Sequence, residues 1–138
     1  MSLLSVGTVA FDDINTPLGK ADMIVGGAAT YISLAASYFT NDLQLVSVVG
    51  DDFPQNVLDA LKARGVSLEG LQIKEGEKSF FWAGRYHDNM NQRDTLDTQL
   101  NVLADFDTDL PVAYQNPDFL MLGCLVPANQ QRVIDQLQ

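Results

Sequence analysis

The order of apolar and helical segments in the first half of the chain restricts its fold more than any other feature. Residues 3–10 form a short, mostly apolar run bounded by turn residues, and residues 43–49 form another that is rich in β-branched side chains. Both runs are typical of strands buried in an α/β sheet. Helices are predicted from Gly27 to about Phe39, and from about Pro54 to a stop at Gly65. Strand, helix, strand and helix in this order predict parallel crossovers, and therefore an α/β fold.

The pattern changes after residue 70, where antiparallel strands are predicted. Residues 71–73 indicate a brief strand, residues 78–87 a long aromatic one, and residues 94–102 alternate with period two after a turn at 88–92. The last two strands predict a β-hairpin. Residues 105–116 indicate a polar loop, and residues 119–123 another buried strand. Pro127 opens a final helix with Val133, Ile134 and Leu137 on one face, and we expect the sequence to continue because that helix has no C-terminal cap.

Composition excludes several classes of protein. The 138 residues, 46% of them hydrophobic, fit one globular domain with a core. A net charge of −10 argues against nucleic acid or an anionic membrane surface as a partner. One cysteine excludes an intrachain disulfide and a cysteine-rich metal site. No segment is long and apolar enough to span a bilayer and no signal peptide is evident, so we expect a cytoplasmic protein.

Two adjacent glycines, Gly26 and Gly27, precede the first predicted helix. Without a Cβ atom, the backbone there can approach another group closely. The first amides of the helix have no partner within it, so a polar ligand could accept hydrogen bonds from them. The residues alone leave two interpretations open: a ligand site, or a tight turn into a packed helix. The pattern is neither GxGxxG nor a P-loop.

Carboxylates follow the first predicted strand, at the edge where ligands of open α/β sheets usually bind. Asp12 is a candidate ligand-binding residue there, whereas Asp13 fits a solvated turn. Asp51 and Asp52 indicate a turn and the cap of the second helix. Their surface-like pairing, without a histidine nearby, predicts no metal site.

The remaining reactive residues carry weaker signals. His87 is the single histidine, and no Gly-x-Ser-x-Gly motif supplies a nucleophile for it, so we expect it to be solvated or hydrogen-bonded. Cys124 is predicted to be a small core residue. Arg85 and Arg93 place positive charge around one hairpin tip of an acidic protein. The tip is either solvated or faces a substrate with a negative group, such as a sugar acid or phosphate.

Three stretches together resemble the amino-terminal half of the ribokinase-like (PfkB) carbohydrate kinases. They are a strand ending in an aspartate at residues 6–12, the glycine pair leading a helix at 26–29, and Val-Val-Gly-Asp-Asp-Phe-Pro at 48–54 with its following helix and Gly65-Val66. The resemblance implies a three-layer α/β/α fold with a mostly parallel central sheet and a small β lid. It implies that residues 1–138 are the amino-terminal part of one such domain, with lid-type segments within about 15–25 and 71–102.

The resemblance also implies a function, namely ATP-dependent phosphorylation of a sugar hydroxyl. Asp12 would bind sugar hydroxyls, and Gly26 and Gly27 would offer backbone contacts to the same substrate. ATP and Mg²⁺ would be required, although most of the nucleotide site and the catalytic aspartate would lie beyond Gln138. A homodimer formed through the β lid is a further expectation.

Two departures from the family pattern leave the substrate open. Tyr31 occupies the position where the family often has an asparagine that contacts the sugar, and is therefore a candidate substrate contact. Leu125 stands where ribokinase-type members have a sugar-contacting glutamate. A nucleoside kinase of the same fold and a non-catalytic sugar-binding or regulatory protein remain alternatives.

Overall fold

Two four-stranded β-sheets with three α-helices make up the fold. The computed structural model describes all residues from Met1 to Gln138. In chain order the elements are β1 (Leu3–Val6), β2 (Ala10–Thr16), β3 (Gly19–Gly26), α1 (Ala28–Ala36), β4 (Leu43–Gly50), α2 (Gln55–Ala63), β5 (Val66–Lys74), β6 (Phe80–Tyr86), β7 (Arg93–Gln99), β8 (Phe119–Leu122) and α3 (Pro127–Asp135). Two short 3₁₀ helices span Asn101–Leu103 and Val112–Tyr114. No helix is long and apolar enough to cross a membrane.

The first sheet is parallel throughout, in the order β5-β4-β1-β8. The side chains along each strand point alternately to the two faces of the sheet, and in β4 both faces are apolar. Leu43, Leu45 and Val49 pack into one core cluster with α1 and α2, whereas Val46 and Val48 pack into the other with Val133 of α3. Helices therefore cover both faces, and the α/β class with a parallel central sheet is confirmed.

The second sheet is mixed, in the order β3-β2-β6-β7. β2 pairs antiparallel with β3 and parallel with β6, and β6 and β7 form the predicted antiparallel hairpin. This sheet lies beside the parallel one as the small lid-like sheet that the sequence predicted. Its strands come from two places in the chain, on either side of the β4–α2–β5 unit.

Several predicted boundaries were wrong. The run at residues 3–10 is not one strand: β1 ends at Val6, and β2 begins at Ala10 in the other sheet. Strand β5 covers Val66–Lys74 and pairs with β4, so residues 71–73 belong to the parallel sheet and not to the lid. Helix α1 ends at Ala36 and not near Phe39. The amides of Tyr38 and Phe39 donate to the carbonyls three residues before them, as in a 3₁₀ turn, and not four residues before them as in an α-helix.

The segment after β7 is better packed than its polar composition predicted. Phe106, Leu110 and Tyr114 are buried against the parallel sheet, because polar residues there alternate with apolar ones that cover its second face. Conversely, β8 is half-exposed and not buried, since it forms the edge of the sheet and has a strand on one side only. In α3, Val133 is buried but Ile134 is exposed.

Candidate functional site

A cleft lies where the chain passes from the first sheet to the second. Residues 7–9 make this passage, between the carboxyl end of β1 and the start of β2. The cleft has a volume of about 400 Å³ and is lined by Thr8, Ala10, Asp12, Gly27, Ala28, Phe80, Trp82, Tyr86, Arg93 and Cys124. Three of the predicted substrate residues, Asp12, Gly27 and Arg93, therefore lie in one cleft.

Asp12 is the one acidic side chain of this cleft. It lies on β2, next to an irregularity in the pairing with β3. Its carboxylate sits so close to Gly26 that a Cβ atom at that position would overlap Oδ2. Partial burial raises the pKa of this carboxyl above its ordinary value of 3.8, and no hydrogen bond from the chain offsets that effect. The carboxylate is thus a partly desolvated acceptor with free lone pairs facing a cleft.

The amino-terminal end of α1 is bound by Thr8. The Ala28 amide donates to Thr8 Oγ1 (3.1 Å), and the Ala29 amide donates to the Thr8 carbonyl (3.0 Å). These amides are therefore not free for a ligand, which argues against the first of the two interpretations, a ligand site, at Ala28 and Ala29. Gly27 has φ +93, and a Cβ there would overlap the Thr8 carbonyl oxygen. The glycine pair is needed for close packing, as the second of the two interpretations proposed.

A backbone donor without a partner in the chain lies at this cleft. The Gly27 amide lies between β3 and α1 and makes no hydrogen bond within the chain. It shares the cleft with the Asp12 carboxylate, so an acceptor and a donor are available to one ligand. A polyhydroxylated molecule can use both kinds of group.

Aromatic side chains form one wall of the cleft. Phe80, Trp82 and Tyr86 lie on β6 and are half-buried. The indole of Trp82 lies over Gly84, where a Cβ would overlap the ring, and its Nε1 donates to Thr95 Oγ1 (3.3 Å). The Arg93 guanidinium stands 5.7 Å from the centre of the Trp82 ring. Contacts within the chain therefore hold the Trp82 ring of this wall in place.

The two arginines of the hairpin do not act together. Arg85 extends towards a different, polar cleft and pairs with Asp94 (2.9 Å), which His87 also contacts (3.2 Å). Arg85 and His87 hold the pKa of the Asp94 carboxyl below its ordinary value. Arg93 makes no ion pair and stays in the cleft of Asp12. Adjacent positions on a strand face opposite sides, which separates Arg85 from Trp82, whereas Tyr86 lines both clefts.

The other predicted contacts lie outside the cleft or at its edge. Tyr31 is 57% exposed, and its hydroxyl donates to the Val25 carbonyl (2.8 Å). Gly26 touches the Asp12 carboxylate but does not line the cleft. Cys124 is exposed at the edge of the cleft, so its assignment to the core was wrong. It follows β8, the edge strand of the parallel sheet, which has no strand on its outer side.

The acidic pair after β4 is structural, though not as a helix cap. Helix α2 has no side-chain cap. Asp51 instead accepts a hydrogen bond from the Gly76 amide (2.8 Å), and Asp52 accepts from the Ser79 amide (2.9 Å) and hydroxyl (2.6 Å). These bonds connect the end of β4 to the segment that leads into the second sheet.

The start of helix α1 offers no binding site for the phosphates of ATP. The amides of Ala28 and Ala29 already donate to Thr8, and the neighbouring carboxylate of Asp12 would repel an anion. No three His, Cys, Asp or Glu side chains come together in a group that could hold a metal ion.

Sequence reasoning missed most of the residues that line the cleft, including Thr8 and Trp82. Thr8 connects the sheets and binds α1, and Trp82 forms the aromatic wall. The sequence did carry a signal for Trp82, because Phe80 and Trp82 are two residues apart in a predicted strand and therefore share one face of it. Nothing in the sequence marked Thr8, since its role depends on the position of α1.

Known proteins share this architecture. No family model matches the chain. Over 77 residues it is 31% identical to the cytidine kinase of Thermococcus kodakarensis, which covers 56% of the chain and 27% of that protein. The structure matches a ribokinase from Cryptococcus neoformans in complex with ADP, with a TM-score of 0.65 and 18% identity over 88% of the chain and 41% of that protein. The chain has the ribokinase-like fold.

Nucleoside kinases of this fold are similar to the same extent. The Methanocaldococcus jannaschii nucleoside kinase matches with a TM-score of 0.64 and 17% identity, over 88% of the chain and 44% of that protein. The Burkholderia thailandensis nucleoside kinase in complex with inosine matches with a TM-score of 0.59 and 21% identity, over 72% of the chain and 37% of that protein. The chain thus spans less than half the length of these relatives and corresponds to roughly the first 40% of the ribokinase-like fold.

Proposed function

We propose that this chain forms the sugar-binding part of an ATP-dependent kinase that phosphorylates a hydroxyl group of a sugar or of a sugar-containing molecule. The observation that carries the proposal is the free Asp12 carboxylate in a cleft at the end of β1, beside the unpaired Gly27 amide. The ribokinase-like fold and the kinases that share it support the reaction class.

Each group in the cleft has a task in binding. The Asp12 carboxylate accepts hydrogen bonds from two neighbouring hydroxyls, and the Gly27 amide donates to a third oxygen. The aromatic wall covers the C–H face of the sugar and excludes water from these bonds. A sugar held at three points is oriented for attack on a phosphoryl group, and positioning is a large part of catalysis in phosphoryl transfer.

The nucleotide half of the reaction needs further groups. ATP would supply the phosphoryl group and Mg²⁺ would neutralise its developing charge. The elements of this chain described above bind and orient the acceptor, and we assign the catalytic aspartate to none of them.

Replacing Asp12 by asparagine tests the proposal. Asp12→Asn keeps the size of the side chain but removes the charge and one acceptor. We expect sugar binding, measured by calorimetry across a panel of sugars and nucleosides, to weaken by about 1–3 kcal/mol. Asp13→Asn is the matched control, because Asp13 accepts a hydrogen bond from the exposed Met23 amide and does not line the cleft. Equal affinity in the wild type and Asp12→Asn would remove Asp12 from the site.

A non-catalytic sugar-binding protein is the second candidate. The cleft of Asp12 supplies groups for a sugar, and binding of a sugar alone needs no nucleotide site. Release of ADP by a longer protein that contains this chain, in the presence of the bound sugar, separates the two functions. We expect the 138-residue chain to bind sugar without ADP release, and sugar-dependent release from this chain would place catalytic groups within it.

A further inference from the structure

A cavity of about 220 Å³ lies behind the second sheet, on the face opposite the cleft of Asp12. Its lining comes from all four strands of this sheet, from the turn between β4 and α2, and from the segments on either side of the β6–β7 hairpin. The volume is below the range of about 300–1,000 Å³ that is usual for drug-sized ligands, so a ligand here is small. We call this cavity the rear pocket.

The pairing of the strands shows that the rear pocket and the cleft of Asp12 use opposite faces of one sheet. Phe81 pairs with Phe11 on one side and with Gln99 on the other, and all three line the rear pocket. Their neighbours Asp12 and Trp82 pair with each other and line the cleft. Successive side chains on a strand point to opposite faces. A ligand in the rear pocket therefore contacts the strands that carry Asp12 and the aromatic wall.

Hydrogen bonds hold one side of the rear pocket in place. Ser79 is 2% exposed, and its hydroxyl and amide both donate to Asp52 Oδ1 (2.6 and 2.9 Å). The same hydroxyl accepts from the Gly50 amide (3.0 Å), and the Asn101 side chain donates to the Ser79 carbonyl (2.8 Å). These bonds connect the end of β4 to both ends of the β6–β7 hairpin, so the shape of this side is fixed without a ligand.

The polar groups that remain free in the rear pocket carry both signs of charge. The Lys78 ammonium lines the pocket and makes no ion pair. Asp52 uses Oδ1 for Ser79, and its Oδ2 accepts no hydrogen bond. Asn101 donates through Nδ2, which leaves its Oδ1 as an acceptor. One free cation and one free carboxylate oxygen complement a ligand that carries a carboxylate and an ammonium.

Aromatic rings form the apolar side of the rear pocket. Phe11 is 6% exposed and Phe81 is half-buried, and both pack against the core cluster that α1 and α2 cover. Met23 lies at the same pocket. These groups suit an aliphatic side chain, which they would remove from water.

The backbone around the rear pocket is unusual. Met23 (φ +50) and Asn101 (φ +48) are two of the three residues other than glycine with positive φ in the chain. Such conformations cost energy and are concentrated at ligand sites. Both residues line this one pocket.

We infer that the rear pocket binds a small aliphatic amino acid and that this binding raises the affinity of the cleft of Asp12 for its ligand. The carboxylate of the amino acid lies at Lys78, its ammonium at Asp52 and Asn101, and its side chain against Phe11 and Phe81. Binding orders the sheet that both sites share, so a second ligand loses less conformational entropy. The binding site goes beyond the proposed function, whereas its effect on sugar affinity rests on that function.

Isothermal titration calorimetry of the full chain with leucine tests the rear pocket. Three further ligands each lack one part of leucine: isocaproate lacks the ammonium, isoamylamine lacks the carboxylate, and glycine lacks the aliphatic side chain. The test variant is Lys78→Met, which removes the charge and keeps an unbranched side chain. Lys62→Met is the matched control, because Lys62 is exposed on α2 and lines a different cavity. Thermal melting checks that both variants fold.

We expect leucine to bind about fivefold more tightly than each of the other three ligands, as the loss of one ion pair or of one aliphatic group predicts. Lys78→Met weakens the binding of leucine and isocaproate by about the same factor and leaves isoamylamine unchanged, whereas Lys62→Met behaves like the wild type. The ammonium contact is tested with isocaproate and not by a substitution, because Asp52 also holds Ser79.

A sugar titration with and without saturating leucine measures the coupling between the two sites. We expect sugar affinity to rise about fivefold with leucine bound, and leucine affinity to rise by the same factor with sugar bound, because coupling between two sites is reciprocal.

Other outcomes overturn the inference in distinguishable ways. Leucine binding no tighter than that of the other three ligands, or equal weakening by Lys78→Met and Lys62→Met, rejects the rear pocket as an amino acid site and leaves the proposed function in place. Unchanged sugar affinity with leucine bound rejects the coupling and supports the binding site alone. Leucine binding with the expected preferences, in a chain that binds no sugar, supports the site and rejects the proposed function.

Discussion

At the scale of single residues, the site depends on close contacts that only glycine permits. The carboxylate of Asp12 lies against Gly26, and the carbonyl of Thr8 lies against Gly27. The second contact allows the first turn of α1 to lie next to the segment that follows β1. The glycines thus set the position of the carboxylate, which the proposed function assigns to the ligand together with the Gly27 amide.

The raised pKa of Asp12 predicts a stability that depends on pH. The folded state favours the neutral form of the Asp12 carboxyl. The protonated carboxyl therefore adds to the free energy of unfolding below pH 3.8, and this contribution is lost as the pH rises through the pKa of the folded state. We therefore expect Asp12→Asn, which never ionises, to unfold at a higher temperature than the wild type at pH 7, with a gap that closes towards pH 3.5. Sugar binding should weaken over the same acidic range, because a protonated carboxyl accepts fewer hydrogen bonds.

Asp94→Asn is expected to change the pH dependence of stability in the direction opposite to Asp12→Asn. The pKa of Asp94 is lowered by Arg85 and His87, so its contribution is present above pH 3.8 and is lost as the pH falls through the folded pKa. This variant should be less stable than the wild type at pH 7. Melting temperatures across the pH range check both signs, and a gap for Asp12→Asn that does not change with pH would contradict the burial argument.

Gly27→Ala should destabilise the protein strongly. Alanine at φ +93 is strained, and its Cβ would overlap the Thr8 carbonyl oxygen, so α1 must move away from β1. We expect a loss of about 3 kcal/mol or more in the free energy of unfolding. Gly76→Ala is the control, because Gly76 also has positive φ (+72) but nothing within 4 Å of the added Cβ, so only about 1 kcal/mol is expected. Urea denaturation measures both, and equal losses would show that the backbone contact is unimportant.

At the scale of elements, the connection between β1 and β2 joins the two sheets to helix α1. Thr8 accepts two hydrogen bonds from that helix, and Ser47 of β4 accepts one from the Val9 amide (3.1 Å). Strand β6 then presents Phe80, Trp82 and Tyr86 to the cleft, whereas Phe81 and Arg85 lie on its opposite face. The site is therefore assembled from the ends of elements in both sheets.

Thr8→Val is expected to loosen the start of α1. Valine keeps the shape of threonine but leaves the Ala28 amide without its acceptor, at a cost of about 0.5–2 kcal/mol in unfolding free energy. Thr8→Ser retains the hydroxyl and should recover most of the loss. Hydrogen exchange of the Ala28 amide, measured by NMR, should become faster in Thr8→Val only. Unchanged exchange would show that this bond does not hold the helix.

At the scale of the whole molecule, the parallel sheet has an open apolar edge. Strand β8 pairs only with β1, and Phe119 and Met121 on it are 55% and 49% exposed. An uncovered edge strand with apolar side chains favours association. In the two solved kinases from Cryptococcus neoformans and Methanocaldococcus jannaschii, more than half of the kinase's own length lies outside the region that matches this protein. The homodimer expected through the lid-like sheet stays a prediction.

Phe119→Lys should reduce self-association of the 138-residue chain. A charged side chain on an edge strand opposes pairing with another strand, and the side chain is exposed enough for folding to tolerate it. Light scattering at rising protein concentration measures the effect. Leu18→Lys is the control, since Leu18 is 93% exposed at the tip of the β2–β3 turn, away from this edge. Equal reduction by both variants would point to net charge, and not to the β8 edge, as the cause.

The sequence by itself determined the α/β class, the β6–β7 hairpin and the candidate role of Asp12, because apolar periodicity and glycine positions are local properties of the chain. It did not show that residues 3–10 divide between two sheets, since a buried strand and a buried crossing have the same composition. Only the tertiary structure placed Thr8 at the start of α1 and separated Arg93 from Arg85. Those relations depend on which elements pack together and on which side of a strand each residue faces, and contacts between distant segments decide both.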